Sequence, residues 1–320
     1  MMQYPAFNPI AVQIGPWQIG PLPINIQIRW YGLMYVLSFM LAYFLIQKQA
    51  KRQKLDITAD DVSDVLFYLI LGVLLGGRVG YILFYNFQQY IANPLEILAI
   101  WHGGMSFHGG LIGVAVATAL YVRKKHLDFW HLADVLVPAV PFGLLLGRMG
   151  NFINGELWGR PTTVSWGMVF PADPYQLVRH PSQLYEAFFE GLVAGVVIWA
   201  VASMPKRPRG LIPGLFITLY GVARFFIEYY REPDAQLGLL LGGTLSMGQI
   251  LCLAMVVIGL GLMAYVTKRG VPADAPTHTP PRGTVLATAD GPIPSGEMVA
   301  PDAEAPPSDP PSGDQPAHGT

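Results

Sequence analysis

Charge is scarce in this chain: Asp, Glu, Lys and Arg make up only 13% of its 320 residues. A soluble domain carries about 25%, so too little charge is present to cover the surface of one large soluble protein. Cysteine is scarcer still. Cys252 stands alone, which excludes an intramolecular disulfide framework and any cysteine-cluster metal site. A net charge of −1 offers no basic surface for nucleic acid. What the chain does have is apolar length, with 52% hydrophobic residues. The remaining class is an integral membrane protein.

A membrane span needs about 20 mostly apolar residues. Seven stretches come close to that: Trp30–Ile46, Val62–Phe84, Met105–Val122, Trp130–Leu146, Tyr185–Ala202, Leu211–Tyr229 and Leu245–Val266. The fourth is interrupted by Asp134, Pro138 and Pro141, which a membrane helix tolerates when its neighbours satisfy the backbone. The expected fold is an all-α polytopic membrane protein with seven transmembrane helices over residues 30–266. Basic clusters occur at Lys48/Lys51/Arg52/Lys54, Arg123/Lys124/Lys125, Lys206/Arg207/Arg209 and Lys268/Arg269, and they contain every lysine of the chain. Seven spans put all four clusters on one face, which is cytoplasmic by the positive-inside rule. The N-terminus is then outside and the C-terminus inside.

Residues 1–29 form an N-terminal segment on the outer, periplasmic side, and the first 28 hold no Lys or Arg. No basic region precedes an apolar one there, so the first span is expected to act as the targeting signal. Periplasmic loops are expected at 85–104, 147–184 and 230–244. Residues 267–320 read as a disordered cytoplasmic tail, because Val271–Thr320 holds 12 prolines and no aromatic residue. No internal repeat is apparent, which weighs against an inverted-repeat transporter.

The outer side and the spans hold arginine where lysine is missing: Arg29, Arg148, Arg160, Arg179 and Arg231 outside, Arg78 and Arg224 within spans. Ionisable groups at membrane depth are costly and mark candidate sites. The rigid fork of arginine suits a phosphate, donating two hydrogen bonds at once. Each arginine has a structural alternative, pairing with a carboxylate or reaching to headgroups. The densest polar stretch, Gly147–Arg160, sets four glycines among Arg148, Asn151, Asn154 and Glu156. Glycine lets the backbone approach a ligand closely, and an ordinary Gly/Asn-rich loop is the alternative. Tyr220, Arg224, Glu228 and Arg231 share one helix face by spacing, either as a plain ion pair or as a guanidinium oriented for a ligand. His102 and His108 flank Gly103, Gly104, Met105, Ser106 and Phe107. Their spacing does not fit a helical metal pair, and a histidine near neutral pH can move a proton. The run His180-Pro-Ser-Gln-Leu-Tyr-Glu186 reads as a helix start capped near Ser182 or His180, with Tyr185 and Glu186 at the interface. Cys252 is expected as a small hydrophobe within the last span.

Together these motifs resemble the prolipoprotein diacylglyceryl transferase family. GRxGNFxNxExxG is matched by Gly147–Gly159, with RWYGLMY from Arg29, FHGGLIG from Phe107, HPSQLYE from His180 and YGxxRFxxExxRxPD from Tyr220. The resemblance covers roughly Arg29 to Met263. It implies transfer of the sn-1,2-diacylglyceryl group of phosphatidylglycerol to the lipobox cysteine thiol of a preprolipoprotein, forming a thioether and releasing glycerol phosphate. It implies phospholipid binding by Arg148 and Arg224, and a part in activity for Tyr31, His108, Asn151, Glu156, Gly159, Tyr220 and Glu228. The implied partners are phosphatidylglycerol, a signal peptide with its lipobox cysteine and the bilayer. No cofactor, metal or nucleic acid is expected, and the chain is expected to act as a monomer in the bacterial inner membrane. A transporter, or a lipid-binding protein without catalysis, is the rival class.

Overall fold

The computed structural model describes residues 2–19, 22–85, 87–99, 104–232, 239–240, 245–273 and 275. The helices, in chain order, are α1 (Trp30–Arg52), α2 (Ala59–Tyr85), the short α3 (Phe87–Ala92), α4 (Phe107–Lys125), α5 (Phe129–Asn154), α6 (Ser182–Ala202), α7 (Leu211–Ile227) and α8 (Met247–Arg269). Among the described residues, five helices are long and apolar enough to cross a membrane: α1, α2, α5, α6 and α8. Helix α7 has 17 residues, and α4 has 19 with three basic residues in its last turn; both are helical as expected but fall outside that set. Outward-pointing Phe44, Leu75 and Val257 are more than half exposed, an arrangement suited to a hydrocarbon surround rather than water.

The expectation of an all-α chain needs correction. Residues Ile10–Ile19 and Leu22–Arg29 pair as an antiparallel hairpin that runs directly into α1, and two further strand pairs are only two residues long. The chain is therefore mostly helical. The hairpin follows from a period of two: Ile24, Ile26 and Ile28 alternate with Asn25, Gln27 and Arg29.

Two features set the ends of the helices that matter for the site. Asp134 and two prolines do not break α5; the chain passes through one 3-10 turn at Val137–Ala139 and continues. Asp134 is fully buried, pairs with Arg207 at 2.6 Å, and accepts the backbone N–H groups of Gly210 and Ile212 at 2.8 and 3.0 Å. It thereby satisfies the open first turn of α7, where a carboxylate also complements the helix dipole. At its other end α5 runs on to Asn154, so Gly147–Asn154 is helix where a loop from residue 147 was expected. Gly150 marks close packing here: a Cβ on it would lie 3.1 Å from the Tyr31 ring.

Glycine plays the same part between α2 and α4. A Cβ on Gly113 would meet the Gly72 carbonyl oxygen at 1.9 Å, and one on Gly109 the Gly76 carbonyl oxygen at 2.2 Å. Helices approach this closely only where side chains are absent. The glycines of FHGGLIG are thus a helix contact, and they fix the backbone of the first turn of α4. The proline-rich tail, 276–320, lies outside the described residues.

Candidate active site

One end of the bundle gathers the start of α1, the last turns of α5, the loop that follows, the start of α6 and the end of α7. Its centre is Glu186, which is fully buried. One carboxylate oxygen lies 2.6 Å from Nε of Arg148. The other accepts from Nη1 of Arg224 at 3.1 Å and from Nη1 of Arg231 in a shorter bond. Three arginines from α5, α7 and the turn after α7 therefore converge on one carboxylate of α6. Glu228, the residue closing α7, adds contacts of 3.5 Å to both Arg224 and Arg231. Ser246 donates to Glu228 at 3.3 Å and ties this corner to the start of α8.

This placement corrects one expectation. Glu186 was expected at the interface and is instead fully buried. Arg148, Arg224 and Arg231 enclose it; Pro181 occupies the cap position, between the His180 and Ser182 near which the cap was expected, and the Ser182 hydroxyl donates to the Leu157 carbonyl at 3.1 Å. A buried carboxylate needs charged partners to offset its lost hydration, and the three guanidinium groups supply them. Gly191 permits the approach of α6 to α5, since a Cβ there would be 2.7 Å from that of Leu145.

The signature loop forms the wall beside this cluster. Nδ2 of Asn151 donates to Glu156 at 2.8 Å, and Gln183 donates to the Glu156 backbone carbonyl at 2.6 Å. Gly159 sits where three segments meet. Its N–H donates to the His180 carbonyl at 2.9 Å, and a Cβ would lie 2.2 Å from the Tyr230 carbonyl oxygen. Tyr31 shares a hydrogen bond of 3.0 Å with Tyr35. Arg148 and Asn151, with Tyr31 and Tyr35, line the polar end of a cavity of about 470 Å³ that continues between α1, α2 and α5 past Leu66, Leu69 and Leu144. Tyr220 stands one turn before Arg224 on α7, within electrostatic reach of it.

The remaining arginines do other work. Arg78 is buried and donates to the carbonyls of Ile97, Ala99 and Gly104 at 3.0 to 3.2 Å, and to that of Glu96. Arg160 holds the Arg231 carbonyl at 2.6 Å. Arg179 bridges Asp173 and Glu232 at 2.7 and 2.8 Å and lies over the Trp158 ring. Its hydrogen bonds hold the Asp173 carboxyl below the ordinary carboxylate range. Arg29 is exposed at the junction of hairpin and α1. The His180 ring nitrogen meets the Tyr185 hydroxyl at 3.0 Å, and burial holds the imidazole below its ordinary value. His108 opens α4, but its side chain lies outside the described residues, as do His102 and the Pro233-Asp234 end of the last motif. Among the described residues no three of His, Cys, Asp and Glu gather as a metal site would require.

Arg148 thus lies at the polar end of a largely apolar cavity, and Arg224 meets the same Glu186 carboxylate from a second helix. Comparison with known proteins decides what this arrangement is related to. A family model for prolipoprotein diacylglyceryl transferase matches residues 18–265. The chain belongs to that family. It is 50% identical over 270 residues to the phosphatidylglycerol–prolipoprotein diacylglyceryl transferase of Geobacter sulfurreducens, covering 84% of this chain and 99% of the relative. The enzymes of the same name from Ectopseudomonas mendocina and Bordetella bronchiseptica are 48% and 49% identical over 269 residues, again 84% of this chain and 97% and 98% of theirs. Membership in the family bears out the resemblance carried by the five motifs. Sequence reasoning passed over Glu190, also fully buried on α6, although a lone carboxylate in the apolar run Ala187-Phe-Phe-Glu-Gly-Leu-Val193 is itself a signal.

Proposed function

We propose that this chain transfers the sn-1,2-diacylglyceryl group of phosphatidylglycerol to the lipobox cysteine thiol of a preprolipoprotein. The observation that carries this reading is the meeting of Arg148, at the polar end of the 470 Å³ cavity, with Arg224 of another helix on the one carboxylate of Glu186. An apolar cavity with one guanidinium at its rim and a second paired to the same carboxylate fits a glycerophospholipid, with acyl chains inside and phosphate at the rim. The thiolate sulfur attacks the glycerol carbon that bears the phosphate. The carbon–oxygen bond breaks, a thioether forms, and glycerol 1-phosphate leaves with the bonding electrons. A thiol with an ordinary pKa of about 8.5 must lose its proton to become the nucleophile, and His108 takes that proton. Arg148 and Arg224 stabilise the charge that develops on the leaving phosphate. Asn151, Glu156 and Glu228 hold these groups in place; Tyr31, Gly159 and Tyr220 shape the pocket around them.

The family relationship and the five long apolar helices support a multi-pass protein of the bacterial inner membrane. With α4 and α7 also crossing, the count is seven, the N-terminus is periplasmic, the C-terminus is cytoplasmic, and the site opens towards the outer leaflet. The chain works as a monomer, with phosphatidylglycerol and the signal peptide as its partners. The test is direct: purified chain, labelled phosphatidylglycerol and a lipobox peptide should give a thioether peptide heavier by one diacylglyceryl group. A peptide left unmodified under conditions that support a related enzyme would overturn the proposal.

A further inference from the structure

Glu190 lies one turn beyond Glu186, within a π-helical stretch at Ala187–Val193 of α6. Wide turns of this kind are frequent at functional sites. Glu190 is fully buried, and among the described residues neither of its carboxylate oxygens has a hydrogen-bond partner. Its ion-pair contact is to Nη1 of Arg224 at 3.7 Å, the same nitrogen that serves Glu186 at 3.1 Å. Arg224 also faces Glu228 at 3.5 Å, so one guanidinium is shared among three carboxylates. The titratable and charged groups facing Glu190 are Arg148 on α5, Glu186 on its own helix, Tyr220 and Arg224 on α7, Arg231 beyond α7 and Cys252 on α8.

With Glu190 ionised, the charges of the cluster balance. Three guanidinium groups, Arg148, Arg224 and Arg231, face three carboxylates, Glu186, Glu190 and Glu228. A phosphodiester arriving at Arg148 and Arg224 adds one negative charge in a region shielded from water, where an uncompensated charge is costly. Either one carboxylate gains a proton or the ligand binds weakly. Glu186 is held by three arginines, and Glu228 by two and by Ser246. Glu190 has the least to lose.

We propose that Glu190 is a charge-compensating residue: when the anionic headgroup engages Arg148 and Arg224, Glu190 is released from Arg224 and takes up one proton from water. The step forms one O–H bond on the carboxylate as a buffer acid in that water gives up its proton and becomes its conjugate base, and on product release the proton returns. It rests on the phosphate-clamp reading above and adds a coupling between headgroup binding and proton uptake. Glu190 acts through Arg224 as a positioning residue and touches no reacting atom.

The experiment is calorimetric titration of phosphatidylglycerol into the purified full chain in detergent, in two buffers of different ionisation enthalpy, with diacylglycerol as a ligand lacking phosphate. The wild type should take up about one proton per phospholipid, and its affinity should fall by up to about tenfold per pH unit where Glu190 is ionised in the unliganded protein. Diacylglycerol should give no uptake. Glu190→Gln should bind phosphatidylglycerol with no proton uptake and a flat pH profile. Infrared difference spectra should show a carboxylic acid band on binding that is absent from Glu190→Gln and shifted in Glu190→Asp, the variant to use if the glutamine does not fold. Uptake of one proton by Glu190→Gln, or an unshifted band in Glu190→Asp, would overturn the inference. Failure of the wild type to bind phosphatidylglycerol would instead overturn the clamp.

Discussion

Arg148 Nε and Glu186 Oε2 are 2.6 Å apart, joining the polar end of α5 to the buried start of α6. The other oxygen of the same carboxylate receives Arg224 and Arg231. A single side chain therefore sets the positions of three guanidinium groups, and the geometry of the clamp depends on it.

Replacing Glu186 with Gln keeps the shape and removes the charge. Removing one partner of a buried ion pair costs about 3–5 kcal/mol, and here three cations lose their common anion. Transfer activity should fall more than about 100-fold, the rate equivalent of roughly 3 kcal/mol, and the melting temperature in detergent should drop. A variant with near-normal turnover would show that the arginines hold their positions without Glu186.

Arg148→Lys tests the fork. Lysine retains the charge but lacks the rigid pair of donors, and a lost hydrogen bond to a charged group is worth about 1.5–3 kcal/mol. Turnover of phosphatidylglycerol should fall roughly 10- to 100-fold, measured as glycerol phosphate released. Full turnover would count against two-point binding of the phosphate.

Gly159→Ala places a methyl group 2.2 Å from a backbone carbonyl oxygen of Tyr230. Backbone cannot move aside as a flexible side chain can, and overpacking of this kind costs about 1–3 kcal/mol. The turn carrying Arg231 must shift, so activity should fall at least about tenfold. Faster protease cleavage near Arg160 should accompany the loss; an active, protease-resistant variant would be unexpected.

The Asp173–Arg179 pair gives the loop between α5 and α6 a pH dependence. Because the folded-state pKa of Asp173 is lowered, its contribution is complete above the unfolded carboxylate value of about 4 and is lost as pH falls through the folded value. Asp173→Asn should therefore melt at a lower temperature than the wild type from pH 8 to pH 5, with the gap closing as pH drops towards 3. A gap that stays constant would assign the loss to packing.

The sequence marked most of this site because its chemistry is written in rare residues. In a chain with so little charge, Arg148 and Arg224 stand out, and their motifs carried the family. Burial was less visible. Glu186 reads as interfacial beside Tyr185, since nothing local indicates that Arg148, Arg224 and Arg231 enclose it. Helix α5 continues to Asn154 because Gly150 lies against Tyr31, a long-range contact that outweighs the weak helix propensity of glycine. The hairpin at Ile10–Arg29 was legible in its alternation but was overshadowed by the absence of charge. Arg78 and Arg179 resembled ligand-binding arginines until their carbonyl and carboxylate partners were seen.

The carboxylate of Asp134 grips α7 at Gly210 and Ile212, about 18 Å along the helix from Arg224 at 1.5 Å per residue. The ion pairs of Arg224 with Glu186, Glu190 and Glu228 hold the other end, so α7 is a strut pinned at both ends. A tilt at one pin therefore changes where the guanidinium meets its carboxylates at the other. Loosening the first pin with Asp134→Asn would then alter substrate handling at a residue that never meets the substrate.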